Sequence, residues 1–370
     1  IQPGGQLAGA EGYLSEQAFD DGTPDSATPF AWAHGLRSAV VARLHENGAL
    51  SADADLTQPS GPAAHSTWTT GETYGVGTAA DHWESNSSRV WFTLTEGAMT
   101  EPRFPRVDLM NFRTVDFLVV DADDESSYTA RTHNEERTDD AIETIERSTT
   151  MVGSESPVYR QTITETGADG HEWELVVEYV TDPDSESIVM DVDFAADDNN
   201  QYDVYVVGDA ALSGYIEDKS AELVDEGDGY ALAAWDTGAT HDPAFVDPNG
   251  EPYQVAAAIA SQRSFDWATV GEATDDHLAA LFGDGEAADS EPKAGPGHSV
   301  LVGRVGERAT SIADTIALGF AEDADTEMAL TEAQRALSRG YVGVRDAYVD
   351  GWREYLDAVE LPNSVRDDPD

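Results

Sequence analysis

A two-residue alternation of apolar and polar side chains runs along most of this chain, from Thr67 to about Glu322. In one stretch Trp173, Leu175, Val177 and Tyr179 alternate with acidic residues. Successive side chains of a β-strand point to opposite faces of its sheet, so this alternation predicts strands with one buried face and one hydrated face. The same pattern recurs in eight further runs: 89–94, 115–120, 159–164, 188–194, 202–207, 253–259, 300–305 and 315–320.

Glycine, aspartate and proline turns separate these runs. Many short strands at such spacing predict a mainly β protein built as a large antiparallel sandwich, in which two sheets share one core. The run of acidic and amide residues at 197–200 is interpreted as a hairpin turn between two neighbouring strands.

Helical periodicity replaces the alternation at both ends of the chain. Near the carboxyl end, six residues step by three and four and form one aromatic-rich stripe: Tyr341, Val344, Tyr348, Trp352, Tyr355 and Val359. The preceding piece, 326–339, is predicted to be a separate helix because Gly340 interrupts the pattern. The sandwich is therefore expected to be flanked by helices.

A further helix is predicted near the amino end, after residue 28. Thr28 can cap its amino end and Pro29 suits the first helical position. Ala33, Leu36 and Val40 then fall on one face, and Asn47-Gly48 gives a left-handed stop. Residues 49–66 are rich in proline, glycine and small polar residues and are interpreted as a linker.

The charge of the chain indicates the kind of environment in which the protein folds. The formal net charge is -53, with 73 acidic residues against 20 basic ones, of which Lys219 and Lys293 are the only lysines. Such self-repulsion opposes folding unless salt screens it, so the composition predicts a protein of a salt-loving organism, either extracellular or cytoplasmic. It argues against nucleic acid as a partner, because no basic stripe is present to neutralise phosphates.

Residue usage narrows the candidate chemistry further. The absence of cysteine excludes disulfides, thiolate metal sites and a cysteine nucleophile. No apolar run approaches the roughly 20 residues that span a bilayer, so no membrane span is predicted. Asp121 and its acidic neighbours lack the glycine and glutamate of a calcium loop and are interpreted as a solvated turn. We therefore predict no metal site and no cofactor.

Two segments near the start carry a family resemblance. Residues 13–20 read YLSEQAFD and residues 22–34 read GTPDSATPFAWAH. They resemble the closing segment of the catalytic (α/α)6 barrel of glycoside hydrolase family 15, the glucoamylases and glucodextranases. Residues 69–78, TTGETYGVGT, and 89–101, RVWFTLTEGAMTE, look like the opening of that family's amino-terminal β-domain.

This resemblance implies a particular domain order. Residues 1–48 would be the end of one barrel, 49–66 a linker, 67–324 a super-sandwich of the galactose mutarotase-like, glucodextranase domain N type, and 325–362 a helical linker towards a following barrel, with 363–370 as a tail. The end of one enzyme unit would then precede the start of another, and the catalytic barrel would be a partner on the same or a neighbouring polypeptide.

The resemblance also assigns two site residues. Glu16 falls on the carboxylate that acts as general base in this family, where inversion needs an acid and a base about 6.5 to 9.5 Å apart with a water between them. The alternative is that Glu16 is one surface carboxylate among many. Trp32 is a candidate for stacking on a sugar ring, or else a buried aromatic residue of the barrel helix.

Three functions remain open at this stage. The first is a segment of an exo-acting α-glucan hydrolase that releases glucose from non-reducing ends, with an α-glucan or oligosaccharide as substrate. The second is a non-catalytic sandwich that contacts or scaffolds glucan. The third is a disaccharide phosphorylase, which shares the domain order but uses phosphate as nucleophile and needs no carboxylate base. A base at Glu16 favours hydrolysis.

Overall fold

The computed structural model describes residues 17–18, 24–25, 77, 88–122, 129–133, 144–153, 156–166, 172–196, 200–238, 250–287 and 290–358. The chain divides into two compact units, 1–73 and 74–370. In the first unit a short β1 (Gln17–Ala18) pairs antiparallel with β2 (Pro24–Asp25). The helix predicted after Thr28 and the linker at 49–66 lie outside the described residues.

Sixteen strands and two α-helices are described in the second unit. In chain order they are β3 (Trp91–Thr95), β4 (Ala98–Arg103), β5 (Phe112–Asp121), β6 (Thr129–Arg131), β7 (Thr144–Met151), β8 (Tyr159–Thr166), β9 (Glu172–Thr181), β10 (Ser187–Ala196), β11 (Tyr202–Ala210), β12 (Lys219–Asp225), β13 (Tyr230–Asp236), β14 (Ala256–Ser261), β15 (Ala268–Glu272), α1 (Asp276–Asp284), β16 (Lys293–Gly297), β17 (Ser299–Ala309), β18 (Ser311–Ala321) and α2 (Thr326–Ala358).

These strands form two sheets. The nine-stranded sheet has the order β16-β12-β13-β14-β18-β10-β9-β8-β7, and the seven-stranded sheet β15-β17-β11-β5-β4-β3, with β6 beside β5. Every pairing between described strands is antiparallel. The predicted mainly β, antiparallel sandwich flanked by helices is confirmed.

The main core lies between the two sheets. Trp173, Leu175, Val177 and Tyr179 of β9 are all buried, as their alternation predicts, and they belong to one cluster with inward residues of both sheets. Aromatic rings bridge the layers: Phe320 of the nine-stranded sheet stacks on Phe104, with ring centroids 5.6 Å apart.

Residues 197–200 join the two sheets, which corrects one prediction. The strands on either side do not pair with each other, because β10 pairs with β9 and β18 whereas β11 pairs with β5 and β17. The hairpin interpretation of this acidic run was therefore wrong. The rings of Phe194 and Tyr202, 5.6 Å apart, contact each other across the core on either side of the crossing.

Helix α2 packs on the outer face of the nine-stranded sheet. Buried residues of the helix, including Ala333, Leu337 and Val344, share a cluster with outward residues of the sheet such as Val189 and Ala317. The predicted interruption is present, because Gly340 has φ 70° and ψ 156° inside the helix. Its left-handed φ suits glycine, which has no Cβ to clash.

Helix α1 covers part of the outer face of the seven-stranded sheet. Its Leu278 and Leu281 are buried against outward residues of that sheet, including Leu118, Tyr205 and Val302. Each sheet therefore buries apolar residues on both faces where a helix lies. Among the described residues, no helix is long and apolar enough to cross a membrane.

Candidate functional site

The two residues that the sequence assigns to a sugar site, Glu16 and Trp32, lie outside the described residues. The structure does describe the chain directly after Glu16. Gln17 lies opposite Asp25 and Ala18 opposite Pro24 in the β1–β2 pair. The two segments that carry the barrel resemblance therefore run side by side at this point.

Carboxyl groups with a raised pKa are candidates for acid and base chemistry in the sandwich itself. Burial raises the pKa of Glu186, Asp191 and Asp314, and it raises that of Glu165 to about 7. Whether any of them could act on a substrate depends on their partners and on their access to solvent.

Glu186 belongs to an ionic network that ties α2 to the sheet. Arg89 donates from Nε to Glu186 Oε1 at 2.9 Å and from NH1 to Glu322 Oε1 at 2.6 Å. The Glu186 backbone N–H in turn donates to Glu332 of α2 at 3.0 Å. Burial raises the pKa of Glu186, Arg89 opposes this rise, and Glu332 adds to it. These carboxylates are engaged in holding elements together.

Glu178 anchors the second half of α2 in the same way. Tyr341 donates its hydroxyl to Glu178 Oε2 at 2.6 Å, and Arg160 donates its Nε to Oε1 at 2.9 Å. Arg345 lies 3.7 Å from Oε2. Asp191, whose pKa burial raises, receives a hydrogen bond from Thr315 at 3.4 Å. Because Glu178 is saturated by donors, it is a structural group.

Lys219 and Asp236 form an ion pair whose side chains are both fully buried. They lie directly opposite each other on β12 and β13, and Lys219 Nζ donates to Asp236 Oδ1 at 2.9 Å. The Gly238 N–H also donates to Oδ1, at 2.9 Å, while Oδ2 is buried without a partner. Both side chains are inaccessible to solvent, and the pair stabilises the end of the β12–β13 hairpin that lies away from its connecting turn.

Glu165 differs from the other described carboxyl groups because both of its oxygens are buried and neither has a hydrogen-bond partner. It lies opposite Trp173, whose buried Nε1 is the neighbouring donor that favours the ionised carboxylate, although the two groups do not reach hydrogen-bond geometry. A pocket of about 310 Å³ lies at this end of the β8–β9 pair, lined by residues 164–166, 172–174 and Ala195.

The alternation of the strands decides which side chains face that pocket. Ile163 and Glu165 are inward residues of the core face, so Thr164 and Thr166 point outwards, as do Glu172 and Glu174 opposite them. The pocket therefore has an outer rim of threonines and carboxylates. The carboxyl group of Glu165 lies on the other side of the sheet, against the core.

No metal-binding constellation is present among the described residues, since none of their His, Asp and Glu side chains forms a group of three fit to hold an ion. Asp121, the first residue of the acidic run considered above, accepts a hydrogen bond from Asn200 at 2.8 Å.

Sequence reasoning did not single out Glu165, Glu178 or Lys219. The available signals were modest: Glu165 occupies an inward position of an alternating strand, and Lys219 is one of two lysines in a strongly acidic chain. In each case the position could be read from the sequence, whereas the partner depends on tertiary packing.

Comparisons with known proteins bear on the whole sandwich. A family model described as "Glucodextranase, domain N" matches residues 58–357. A glucoamylase of Clostridium sp. (strain G0005) is 21% identical over 305 residues, which cover 82% of this chain and 38% of the relative. The crystal structure of a bacterial glucoamylase complexed with acarbose matches with a TM-score of 0.61 at 20% identity, over 83% of this chain and 40% of that one. The chain thus spans about two fifths of the length of these relatives.

Proposed function

Because this chain belongs to the family of glucodextranase domain N, we propose that it is the β-domain portion of an exo-acting, inverting α-glucan hydrolase of the glucoamylase type. The observation that carries this proposal is that the match extends over both sheets and most of α2, up to residue 357. A relative that matches over 82% of this chain is a glucoamylase. The substrate is accordingly an α-glucan or a derived oligosaccharide.

In this proposal the sandwich is a structural accessory domain. Among the described residues, the carboxylates Glu178 and Glu186 are bound by arginine and tyrosine donors, and Glu165 and Asp236 are buried. A hydrolase of this class needs two carboxyl groups facing one open cleft. Catalysis is therefore assigned to a barrel, for which the sandwich and α2 provide a rigid support.

Glu16 is proposed as the general base of such a barrel, with Trp32 as a substrate-binding residue nearby. The support is the resemblance of residues 13–20 and 22–34 to the end of a family 15 barrel, together with the β1–β2 pairing that aligns the two segments. The domain boundaries that go with this assignment are 1–48, 49–66, 67–324, 325–362 and 363–370.

The experiment uses a polypeptide that joins this chain to the upstream part of the barrel and has no second complete barrel. Glu16→Gln removes the proton acceptor while keeping side-chain size, so hydrolysis of maltotriose is expected to fall by a factor on the order of a thousand or more, with binding retained. Glu11→Gln is the matched control, five residues away, and is expected to keep full activity. Full activity of Glu16→Gln would contradict the assignment.

The two alternatives give different products. A phosphorylase would convert its disaccharide only with inorganic phosphate and would release a sugar phosphate, whereas a hydrolase releases free glucose without phosphate. A non-catalytic sandwich would bind glucan without turnover by the joined polypeptide. The proposed base at Glu16 favours hydrolysis over phosphorolysis, since a phosphate nucleophile needs no such base.

The chain is further proposed to come from a halophilic, archaeal source, with the catalytic barrel and the glucan as its partners and no nucleic acid among them. The support is the net charge of -53. A surface of this kind repels phosphates and needs molar salt to screen its own charges.

A further inference from the structure

Glu165 occupies an inward position where an ionised group is poorly tolerated. The residue is 1% exposed, and neither carboxyl oxygen has a hydrogen-bond partner. It lies between Ile145 of β7 and Trp173 of β9 in the same row of the sheet. A buried carboxylate without donors is strongly destabilised, whereas a neutral carboxyl group is tolerated much better.

Among the described residues, the groups that face Glu165 offer no compensating charge. On β9 the facing group is the neutral indole of Trp173, and on β10 the next inward ring is Phe194, 6.1 Å from Trp173. On β7 the nearest inward cation is Arg147, whose Nε donates to the Thr132 carbonyl at 2.6 Å. Burial sets the pKa of Glu165, opposed by the indole of Trp173.

Within the part of the chain that the structure describes, burial and Trp173 account for the pKa of Glu165 without a charged group of the opposing sheet. The nearest described ring of that sheet is Tyr202, which contacts Phe194. Asp121, directly opposite Tyr202 on the neighbouring strand β5, is itself an acid that accepts a hydrogen bond from Asn200.

The position of Glu165 makes local opening easy. The Glu165–Trp173 pair is the last but one in the β8–β9 ladder, and the Thr166–Glu172 pair ends it. Strand β8 also pairs with β7, where the Ile145–Glu165 pair is likewise last but one, so the ends of two ladders open when the carboxyl group reaches solvent. Terminal pairs of a ladder open at much lower free energy than its centre.

We propose that Glu165 is a proton-controlled latch at this end of the sandwich, which stays closed when its carboxyl group is neutral and opens the end of the β8–β9 pair when it ionises. The closed form buries the carboxyl group against Trp173. The open form exposes both side chains at the end of the ladder and leaves the central pairs, such as Gln161–Val177, unchanged. This device does not depend on the proposed catalytic function.

The sign of the pH effect follows from the raised pKa of Glu165, about 7. Below this value the folded state holds the proton and the latch is closed. The closed form is fully favoured below the ordinary glutamate value of 4.5 and loses its advantage as pH rises from there to about 7, so the open fraction increases over this window.

Hydrogen exchange of the full chain tests the proposal at constant high salt. After correction for the intrinsic rate at each pH, protection at residues 162–166 and 172–175 is expected to fall by about thirtyfold between pH 5.5 and 8.5, with most of the fall below pH 7 and a plateau above it. Protection at 177–181 is expected to stay constant. Glu165→Gln cannot ionise, so it is expected to show at both pH values the protection that the wild-type chain has at pH 5.5. The same is expected of Glu165→Leu.

The matched control is Glu174→Gln, which removes an exposed carboxylate of the same hairpin and is expected to leave the transition intact. A wild-type chain whose corrected protection does not change with pH would overturn the proposal, even if the variants did not fold. A transition that persists in Glu165→Gln or Glu165→Leu would overturn it as well.

Discussion

The hydroxyl of Tyr341 donates a 2.6 Å hydrogen bond to Glu178 Oε2, across 163 residues of chain, and thereby fixes helix α2 to strand β9 of the nine-stranded sheet. The contact is buried, and Glu178 also accepts a hydrogen bond from Arg160. One aromatic residue of the helical stripe is thus a polar anchor as well as a packing residue.

Tyr341→Phe keeps the ring and removes only this hydrogen bond. We expect it to lower the free energy of unfolding by about 1.5 to 3 kcal/mol, the range for hydrogen bonds to charged groups. Urea denaturation at fixed salt measures this. Tyr355→Phe on the same helix is the control, because Tyr355 is 45% exposed and should be replaced without measurable loss. Equal stability of the two variants would show that the anchor contributes nothing.

Gly319 sets the distance between α2 and the sheet. A Cβ at this position would lie 2.3 Å from the Ala329 carbonyl oxygen and 2.5 Å from the Ala333 nitrogen, both on the helix backbone. Gly319→Ala is therefore expected to displace the helix and to destabilise the chain by about 1 to 3 kcal/mol.

Gly283 provides the matched control for that substitution. A Cβ there meets nothing within 4 Å, and the residue lies inside helix α1. Gly283→Ala is expected to be neutral or to stabilise by about 0.5 to 1 kcal/mol, since alanine favours helix. Thermal unfolding of both variants measures the difference, and a neutral Gly319→Ala would contradict the close packing.

Because Lys219 and Asp236 are paired in the core, we expect the effects of their substitutions on the free energy of unfolding to be strongly non-additive. Lys219→Met leaves a buried carboxylate without its cation and is expected to cost about 3 to 5 kcal/mol, whereas the double variant Lys219→Met, Asp236→Leu should recover most of this loss. Lys293→Met is the control for the other lysine, whose side chain is 75% exposed beside Glu222; it should cost less than about 1 kcal/mol. Chemical denaturation measures these free energies, and a double variant whose loss equals the sum of the two single losses would refute the coupling.

The net charge of -53 predicts a steep salt dependence. Raising KCl from about 0.15 M to 1 M shortens the Debye length from roughly 8 to 3 Å, which screens the surface carboxylates. The melting temperature should rise strongly over this series. Sucrose at equal osmolality separates screening from water exclusion and should raise it much less. A melting temperature independent of KCl would refute the halophilic origin.

The sequence predicted the fold well because alternation reports burial directly. Trp173 and its inward neighbours on β9 are buried as expected, and the helix break at Gly340 is observed. Alternation does not report which sheet a strand joins, so the run at 197–200 could not be distinguished from a hairpin. That distinction depends on contacts such as Phe194 with Tyr202, which form only in the folded sandwich.

The candidate site was less accessible to sequence reasoning. Inward polar residues such as Glu165 and Lys219 occupy predictable faces, but their partners come from other strands. Glu16 and Trp32 rest on resemblance and remain predictions. The resemblance of their segments to a barrel motif is local in sequence, whereas the acid that would face Glu16 depends on the three-dimensional arrangement.

The most direct measurement for the account as a whole is the anomeric form of the sugar that is released. Proton NMR would follow maltotriose during the first turnovers, with and without phosphate, for this chain and for the polypeptide that joins it to the upstream barrel. We expect no glucose from this chain, and β-glucose as first product of the joined polypeptide in either buffer, because inversion converts an α-linkage into a β-anomer. Glucose release by this chain, α-glucose as the first product, or a sugar phosphate formed only with phosphate would contradict the account.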